Sequence, residues 1–417
     1  MNRLKVFIQK KEFLRYFIMF FSGTLLAQII TVAISPVLTR LYTPAEFGVY
    51  GTYIAIVSLL IVFVTGRFEY AINTTDTDKD AVSVYRIVKY LTVFTSGAIL
   101  VVIFFFAPFI KELFGFKFSY KILYFIPATL LLLGILQGSS FYLNRVKDFK
   151  TLSKSKIIQS VGNGATSVSA GLLNFGVIGI IVGNIAGVFI SYSYQKLKVG
   201  RLKKYSFDKE RIKKNLVKYK QYPLYNAPSA FFDNLAIQAP VLILLTVFSE
   251  TIVGFYSLTT RVIGMPLGLI STSISQVFLS QISELHRNGK SYKKVVLKVA
   301  KYLALLGFIP LSILGVFGPQ LFSLVFGADW KVAGEYAQIL SVGYFFKFVV
   351  SPLSIIFFIN QRVKLLSIIQ TTRALSTVIL LLILSAHFKL ETVLIAYTIH
   401  EAFFYMIYFY YILKTSK

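Results

Sequence analysis

The chain alternates between long apolar stretches and short polar breaks, and this alternation runs through its whole length. Twelve stretches come near the length of about 20 residues that a helix needs to cross a bilayer. The pattern therefore predicts twelve membrane-spanning helices, the first of them retained rather than cleaved as a signal peptide. The predicted segments are 14–38, 46–68, 84–110, 120–143, 153–174, 177–196, 222–248, 253–280, 299–318, 333–359, 364–386 and 391–413.

A short motif recurs about half a chain apart. TPAEFGVY at 43–50 returns as SETIVGFY at 249–256, and each copy ends one apolar stretch and opens the next. The repeat predicts two six-helix lobes related as parallel repeats. Gly48 and Gly254 are expected to allow close packing, and the final tyrosines, such as Tyr256, to anchor at the membrane interface.

Basic residues are distributed unevenly over the breaks. If the N-terminus is cytoplasmic, the inside loops hold most of the 44 Lys and Arg residues, which predicts both termini in the cytoplasm. The expected organisation is an N-terminal lobe at 1–198, a basic cytoplasmic connector at 199–220 and a C-terminal lobe at 221–417. The connector either lies on anionic lipid or couples two moving lobes.

Composition narrows the class further. Hydrophobic residues make up 56% of the chain, charged residues only 15% and the mean hydropathy is +0.70, which excludes a soluble protein. There is no cysteine, and the three histidines are scattered, so no disulfide, thiol nucleophile or metal site is predicted. The net charge of +27 follows from topology, so nucleic acid is not an expected partner. No phosphate-binding loop motif occurs, and neither a cofactor nor catalysis is expected.

Ionisable residues in the middle of apolar segments are the candidate chemistry of the second half. Asp233, Arg261, Lys347, Arg373 and Glu401 each lie on a polar stripe of their segment. An ionisable residue at this depth costs roughly 2.5–3.5 kcal/mol, so a wet cavity or ion pairing is expected. The pairs would be Asp233 with Arg261, or Glu401 with Arg373. Because cations outnumber carboxylates, the set predicts an anionic substrate, for which Arg is well suited.

The first half contributes fewer charges. Arg67 and Glu69 fall at the cytoplasmic end of the second segment, where they either pair with each other or line the mouth of a cavity. Asn226 shares a predicted helix face with Asp233. Glu69, Asp233 and Glu401 are expected to couple an ion or form ion pairs. The predicted substrate-binding residues are Arg261, Lys347, Arg373, Arg67 and Asn226.

Several of these runs resemble the polysaccharide-export family that contains the Wzx-type O-antigen flippases. The similar runs are Phe21–Gln28, Leu38–Tyr50, Arg67–Ile72, Gly254–Arg261 and Pro266–Phe278. The resemblance implies the fold of the superfamily that includes lipid II flippases and multidrug-extrusion transporters, with two six-helix lobes around an alternately opening cavity. It also implies an undecaprenyl-diphosphate-linked oligosaccharide as substrate, with Arg261 at the diphosphate.

Other partners follow from this resemblance or remain alternatives to it. Membrane lipids, a coupling H⁺ or Na⁺, a polysaccharide polymerase and a chain-length regulator are the further expected partners. One alternative function is an ion-coupled exporter of drugs or cations with the same fold. Another is a membrane-embedded polysaccharide polymerase, although no predicted outside loop is long enough for the sugar chemistry such an enzyme performs.

Overall fold

The fold is that of a computed structural model, which describes residues 2–116, 118–199, 206–288, 290–360 and 362–416. The side chains of residues 2–20, 280, 284, 287 and 363 lie outside this description. The described chain is helical and contains no strand. The helices are α1 (Asn2–Leu41), α2 (Pro44–Thr65), α3 (Glu69–Thr74), α4 (Asp78–Leu113), α5 (Phe125–Arg145), α6 (Phe149–Leu172), α7 (Val177–Val199), α8 (Lys209–Lys218), α9 (Ala227–Val247), α10 (Glu250–Arg287), α11 (Lys293–Phe326), α12 (Lys331–Val350), α13 (Ile356–Ile359), α14 (Val363–His387) and α15 (Leu390–Thr415).

Within the described residues, eleven helices are long and apolar enough to cross a membrane. The predicted all-helical, multi-pass membrane class is therefore confirmed. The fifth predicted segment, 153–174, coincides with α6, which has the length of a span but is too polar to count as one. Lys150, Lys154 and Lys156 lie in its first turns, and serines and glycines come after them. Helix α6 instead packs between α1 and α7, so neighbouring helices cover much of its surface.

Two other predicted segments end or break where the backbone changes. The segment predicted at 46–68 stops with α2 at Thr65, because Gly66 and Arg67 both adopt left-handed conformations. Arg67 and Glu69 therefore lie beyond the helix rather than on its end. The segment predicted at 333–359 is interrupted after α12 by a 3₁₀ turn at Ser351–Ile355, since Pro352 lacks the N–H that would continue the α-helix.

The chain divides into two compact units. The first comprises residues up to Tyr42 together with Tyr53–Phe231, and the second comprises Thr43–Thr52 with Phe232–Lys417. The lobe boundaries expected from the sequence, the parallel-repeat relation and the central cavity stay predictions. Of the predicted connector, residues 200–205 lie outside the described part of the chain, and most of the remainder forms α8.

Helix α8 is docked on the first unit by hydrogen bonds and charge. Arg211 donates from Nη1 to Asp80 Oδ1 over 2.9 Å, and Asn215 Nδ2 donates to the same oxygen over 3.3 Å. Lys218 Nζ lies 2.8 Å from Asp76 Oδ2. Asp208 caps the helix, and its pKa is lowered because its carboxylate accepts the backbone N–H of Arg211. Asp76 and Asp80 flank the start of α4. The described part of the connector is therefore held against the N-terminal end of that helix.

The repeated motif packs against its own copy within the second unit. A Cβ on Gly48 would overlap the carbonyl oxygen of Glu250, and a Cβ on Gly254 would overlap that of Pro44. The expected close packing is therefore present, because only glycine leaves room for these two backbones to cross. The expectation that Tyr256 is an interfacial anchor is wrong. Its side chain is buried at 3% exposure, because α10 buries this face inside the unit.

Candidate functional site

The first polar site lies in the turn between α2 and α3, in the first unit. Gly66 and Arg67 have φ values of 55° and 60°, and the N–H of Arg67 donates to Thr65 Oγ1 over 3.3 Å. A non-glycine residue in this conformation is strained, and such residues cluster at functional sites. The guanidinium of Arg67 lies over the Tyr70 ring, with Cζ 4.5 Å from its centroid. Its Nε donates to Asn226 Oδ1 over 3.0 Å.

Glu69 follows Arg67 by two residues but points into the protein. It is only 1% exposed, and its Oε2 has no hydrogen-bond partner in the described structure. Burial raises the pKa of the Glu69 carboxyl, and this effect outweighs the hydrogen bonds and the nearby positive charge of Arg67. No salt bridge joins the two residues. The predicted Arg67–Glu69 pair is thus not formed in the structure.

The second polar site is a charged cluster in the second unit, centred on Arg373 of α14. Arg373 is 6% exposed, and its Nη1 donates to Glu401 Oε2 over 3.3 Å and to the Tyr405 hydroxyl over 3.0 Å. Its Nη2 lies 3.9 Å from Asp233 Oδ1. A single buried guanidinium therefore bridges two carboxylates and stacks near an aromatic ring.

Lys347 of α12 lies beside this cluster. Its Nζ is 5.4 Å from the centroid of the Tyr344 ring, a cation–π distance. A small cavity of about 30 Å³, enough for a water molecule, is lined by Leu340, Gly343, Tyr344, Lys347, Tyr397, Thr398 and Glu401. Lys347 and Glu401 therefore share a polar space inside the unit.

Arg261 of α10 differs from Arg373 in its partners. Its Nε is buried without a hydrogen-bond partner, and no described carboxylate lies within 4 Å of its guanidinium. The predicted pair of Asp233 with Arg261 is wrong in this structure, because Asp233 pairs with Arg373. Asp233 and Glu401 both lie within 4 Å of Arg373, whereas no described carboxylate neutralises Arg261.

His400 belongs to the cluster although its sequence position did not single it out. Its Nε2 lies 2.8 Å from Ser376 Oγ, and its Nδ1 lies 4.0 Å from Glu401 Oε1. The only sequence signal was its place beside Glu401. The structure thus brings together Asp233, Lys347, Arg373 and Glu401 in one unit and Arg67 with Asn226 in the other. Within the described residues, no group of three or more His, Asp or Glu side chains is arranged to hold a metal ion.

Comparison with known proteins identifies the family of the chain. A family model described as "Polysaccharide biosynthesis protein" matches residues 37–335, which is well over half of the sequence. The chain belongs to this family. The resemblance to polysaccharide-export proteins that the sequence carries is thereby confirmed.

One relative of the chain is the capsular polysaccharide biosynthesis protein CapF of Staphylococcus aureus. It is 28% identical to this chain over 150 residues, which cover 35% of this chain and 38% of CapF. The match thus spans little more than a third of that relative.

Solved structures establish the fold. The lipid II flippase MurJ in an inward closed conformation superposes with a TM-score of 0.72 at 17% identity, covering 96% of this chain and 90% of MurJ. A multidrug resistance MATE family transporter of the MOP superfamily, in an outward-facing conformation, gives 0.63 at 16% identity and covers 97% and 96%. The predicted two-lobed transporter fold is confirmed by these full-length matches.

Proposed function

We propose that this family member is a flippase that moves undecaprenyl-diphosphate-linked oligosaccharide repeat units from the cytoplasmic to the outer leaflet of the bacterial inner membrane, by alternating access. Membership in a polysaccharide biosynthesis family supports a glycan substrate, and the fold shared with MurJ supports transport of a lipid-linked one. The observation that carries the proposal is Arg261, a guanidinium in an apolar helix with no described carboxylate partner.

The physical argument concerns the headgroup. Moving a charged diphosphate through hydrocarbon unaided costs too much free energy, whereas the apolar polyprenyl tail is soluble in hydrocarbon. A protein that carries such a lipid must offer fixed cations to the phosphates. Arg261 offers a charge that is not already neutralised, and its planar fork fits a phosphate oxygen pair. Lys347 and Arg67 are proposed as further contacts to the headgroup or sugars.

The carboxylates divide into two proposed roles. Asp233 and Glu401 hold Arg373, which already supplies a permanent cation, so we assign these three residues to ion pairing. Glu69 is buried without a salt bridge and its pKa is raised, so it is the better candidate to bind a coupling proton. Coupling by H⁺ rather than Na⁺ follows from this choice.

The remaining assignments complete the proposal. The lobes at 1–198 and 221–417 are joined by a connector at 199–220, with both termini in the cytoplasm. The protein performs no chemistry on the glycan, and a polymerase and a chain-length regulator act on it afterwards. An ion-coupled exporter is the second candidate, because the MATE transporter shares the fold. An exporter of cations needs exposed anionic groups, whereas Glu401 is buried against Arg373 and both cluster carboxylates are already paired with it.

The decisive experiment replaces Arg261. In a host lacking its own copy of the gene, Arg261→Ala is expected to abolish display of the surface glycan, while Arg261→Lys retains part of it. The matched control is Lys298→Ala, which removes an exposed cation from the same unit. Because Arg261 has no described carboxylate partner, its loss leaves no buried charge uncompensated, and the protein level should not change. Normal display with Arg261→Ala would refute the proposed role of this residue.

A further inference from the structure

The side chain of Arg67 is fixed by groups that carry no charge. The left-handed turn at Gly66 and Arg67 sets the direction of the side chain, and the Tyr70 ring supports one face of the guanidinium at 4.5 Å. Asn226 Oδ1 accepts the hydrogen bond from Nε at 3.0 Å. No described carboxylate lies within salt-bridge distance, since Glu69 is turned inward. The arrangement orients the guanidinium without neutralising it.

The use of Nε is the informative detail. An arginine has five N–H donors, and its two terminal amino groups form the fork that binds carboxylates and phosphates in bidentate fashion. Here Asn226 occupies Nε, and no described hydrogen bond occupies either terminal amino group. The fork is therefore left for a ligand. The Asn226 side chain is exposed and the contact between the two residues lies at the surface, so a ligand can reach the fork.

Asn226 reaches this position because of an unusual backbone. Residues Tyr222–Asn226 form a π-helix ahead of α9, and its wider turn shifts the positions of the side chains relative to an α-helix. Such segments are rare and occur frequently at functional sites. The stretch is also tied to α3, since the Tyr222 hydroxyl lies 3.4 Å from Thr74 Oγ1. Two irregular backbone segments, one left-handed and one π-helical, thus meet at a single hydrogen bond.

We infer that Asn226 is a positioning residue, which holds Arg67 so that its two terminal amino groups bind one phosphate of a diphosphate headgroup. The inference rests on the proposed function and changes the role of Asn226, which the sequence placed among the substrate contacts. A neutral amide suits this role better than a carboxylate would, because a carboxylate would orient Arg67 and also cancel its charge. Asn226 acts through Arg67, and not on the ligand.

A double-mutant cycle tests the inference on the full-length protein in lipid nanodiscs, with undecaprenyl diphosphate as the probe. Loss of a bidentate, charge-assisted contact is expected to weaken binding by roughly 10-fold or more for Arg67→Ala. Asn226→Leu retains Arg67 but removes the hydrogen bond that holds its side chain, and roughly a several-fold loss of binding affinity is expected. In the Arg67→Ala background, Asn226→Leu should cause no further loss, because a residue that acts only through Arg67 has nothing left to position.

Asn226→Asp adds a readout that a merely structural role would not move. The substitution preserves shape and the accepting oxygen but places a carboxylate on Arg67. Binding should fall as far as in Arg67→Ala at neutral pH and recover as the pH is lowered and the new carboxyl is protonated. The matched control is Tyr225→Leu, which changes an exposed neighbour in the same π-helix and should leave binding unaltered.

The outcomes distinguish a failure of the positioning role of Asn226 from a failure of the proposed substrate-binding role of Arg67. Unchanged binding in Arg67→Ala would remove Arg67 from the proposed substrate site, whatever Asn226 does. A loss in Arg67→Ala with none in Asn226→Leu would overturn the positioning role alone. A further loss on adding Asn226→Leu to Arg67→Ala would also overturn it, because it would make Asn226 a direct contact.

Discussion

Arg67 in the first unit and Arg373 in the second are both fixed guanidinium groups, but they are fixed in opposite ways. Arg67 is held at the surface by an amide oxygen and an aromatic ring. Arg373 is 6% exposed and held by two carboxylates and a tyrosine hydroxyl. A guanidinium held by neutral partners keeps a positive charge that an anionic ligand can pair with. A guanidinium held by buried carboxylates is already neutralised, because its charge offsets the cost of burying those carboxylates. The comparison separates a cation without a described carboxylate partner from one that is neutralised by two carboxylates.

The largest expected effect is on Arg373. Arg373→Ala leaves Glu401, which is 8% exposed, without its cation, and breaking a buried pair in this way costs about 3–5 kcal/mol of unfolding free energy. Thermal unfolding of the purified protein in detergent measures it. Arg67→Ala is the matched control and should lower stability by no more than about 1 kcal/mol, since its contacts are exposed. Equal losses in both variants would break the comparison.

Within the charged cluster, the two carboxylates should differ. The side chain of Glu401 is 11% exposed and lies 3.3 Å from Arg373, while that of Asp233 is 44% exposed and lies 3.9 Å away. Glu401→Gln is therefore expected to destabilise the protein more than Asp233→Asn does, because solvent screens the longer and more exposed pair. The same unfolding measurement ranks them, and the reverse order would mean that Asp233 is the main partner of Arg373.

Because Glu69 is buried in the first unit, we expect the stability of that unit to depend on pH. Because burial raises the pKa of this carboxyl, the folded state holds its proton more tightly than the unfolded chain does. Its stabilising contribution is complete below the ordinary Glu pKa of about 4.3 and is lost as the pH rises through the folded-state value. Over that window the unfolding temperature of the wild type should fall more than that of Glu69→Gln. Parallel pH profiles would show that Glu69 does not titrate differently in the two states.

The smallest effect is expected where charges pair at the surface. Arg211 and Asp80 lie 2.9 Å apart with side chains that are 34% and 20% exposed. Exposed and partly exposed pairs contribute little, so Arg211→Ala should lower the unfolding free energy by about 1 kcal/mol or less. If this loss matched that of Arg373→Ala, burial would not be the property that distinguishes the two cations.

The helices were largely predictable because hydropathy is a local property of sequence. The failures occur where local backbone or composition departs from a uniform α-helix. Left-handed Gly66 ends α2 early, and Pro352 breaks the predicted tenth segment. Helix α6 has the length and the flanking turns of a span, although its lysines make it much more polar than its neighbours.

The partners of the charged residues were harder to predict than the residues themselves. Asp233, Arg261 and Arg373 stand out in the sequence because apolar residues flank them. Which of them form ion pairs depends on how helices that are distant in sequence pack against one another. The face that was expected to hold Asn226 with Asp233 assumed 100° per residue, and the π-helix at Tyr222–Asn226 breaks that register. His400 meets Ser376 from another helix, a contact that no spacing in the sequence encodes.

The polarity of α6 has a consequence for how the protein is made. A segment that carries Lys150, Lys154 and Lys156 partitions poorly into lipid when it leaves the ribosome by itself. Helix α7 begins after a short turn, and its Gly187 lets the backbone of α6 come close at Gln159. We expect these two helices to enter the bilayer together as a hairpin. A larger residue at Gly187 would then cause α6 to be left outside the bilayer during synthesis, and every later loop would lie on the opposite side of the membrane.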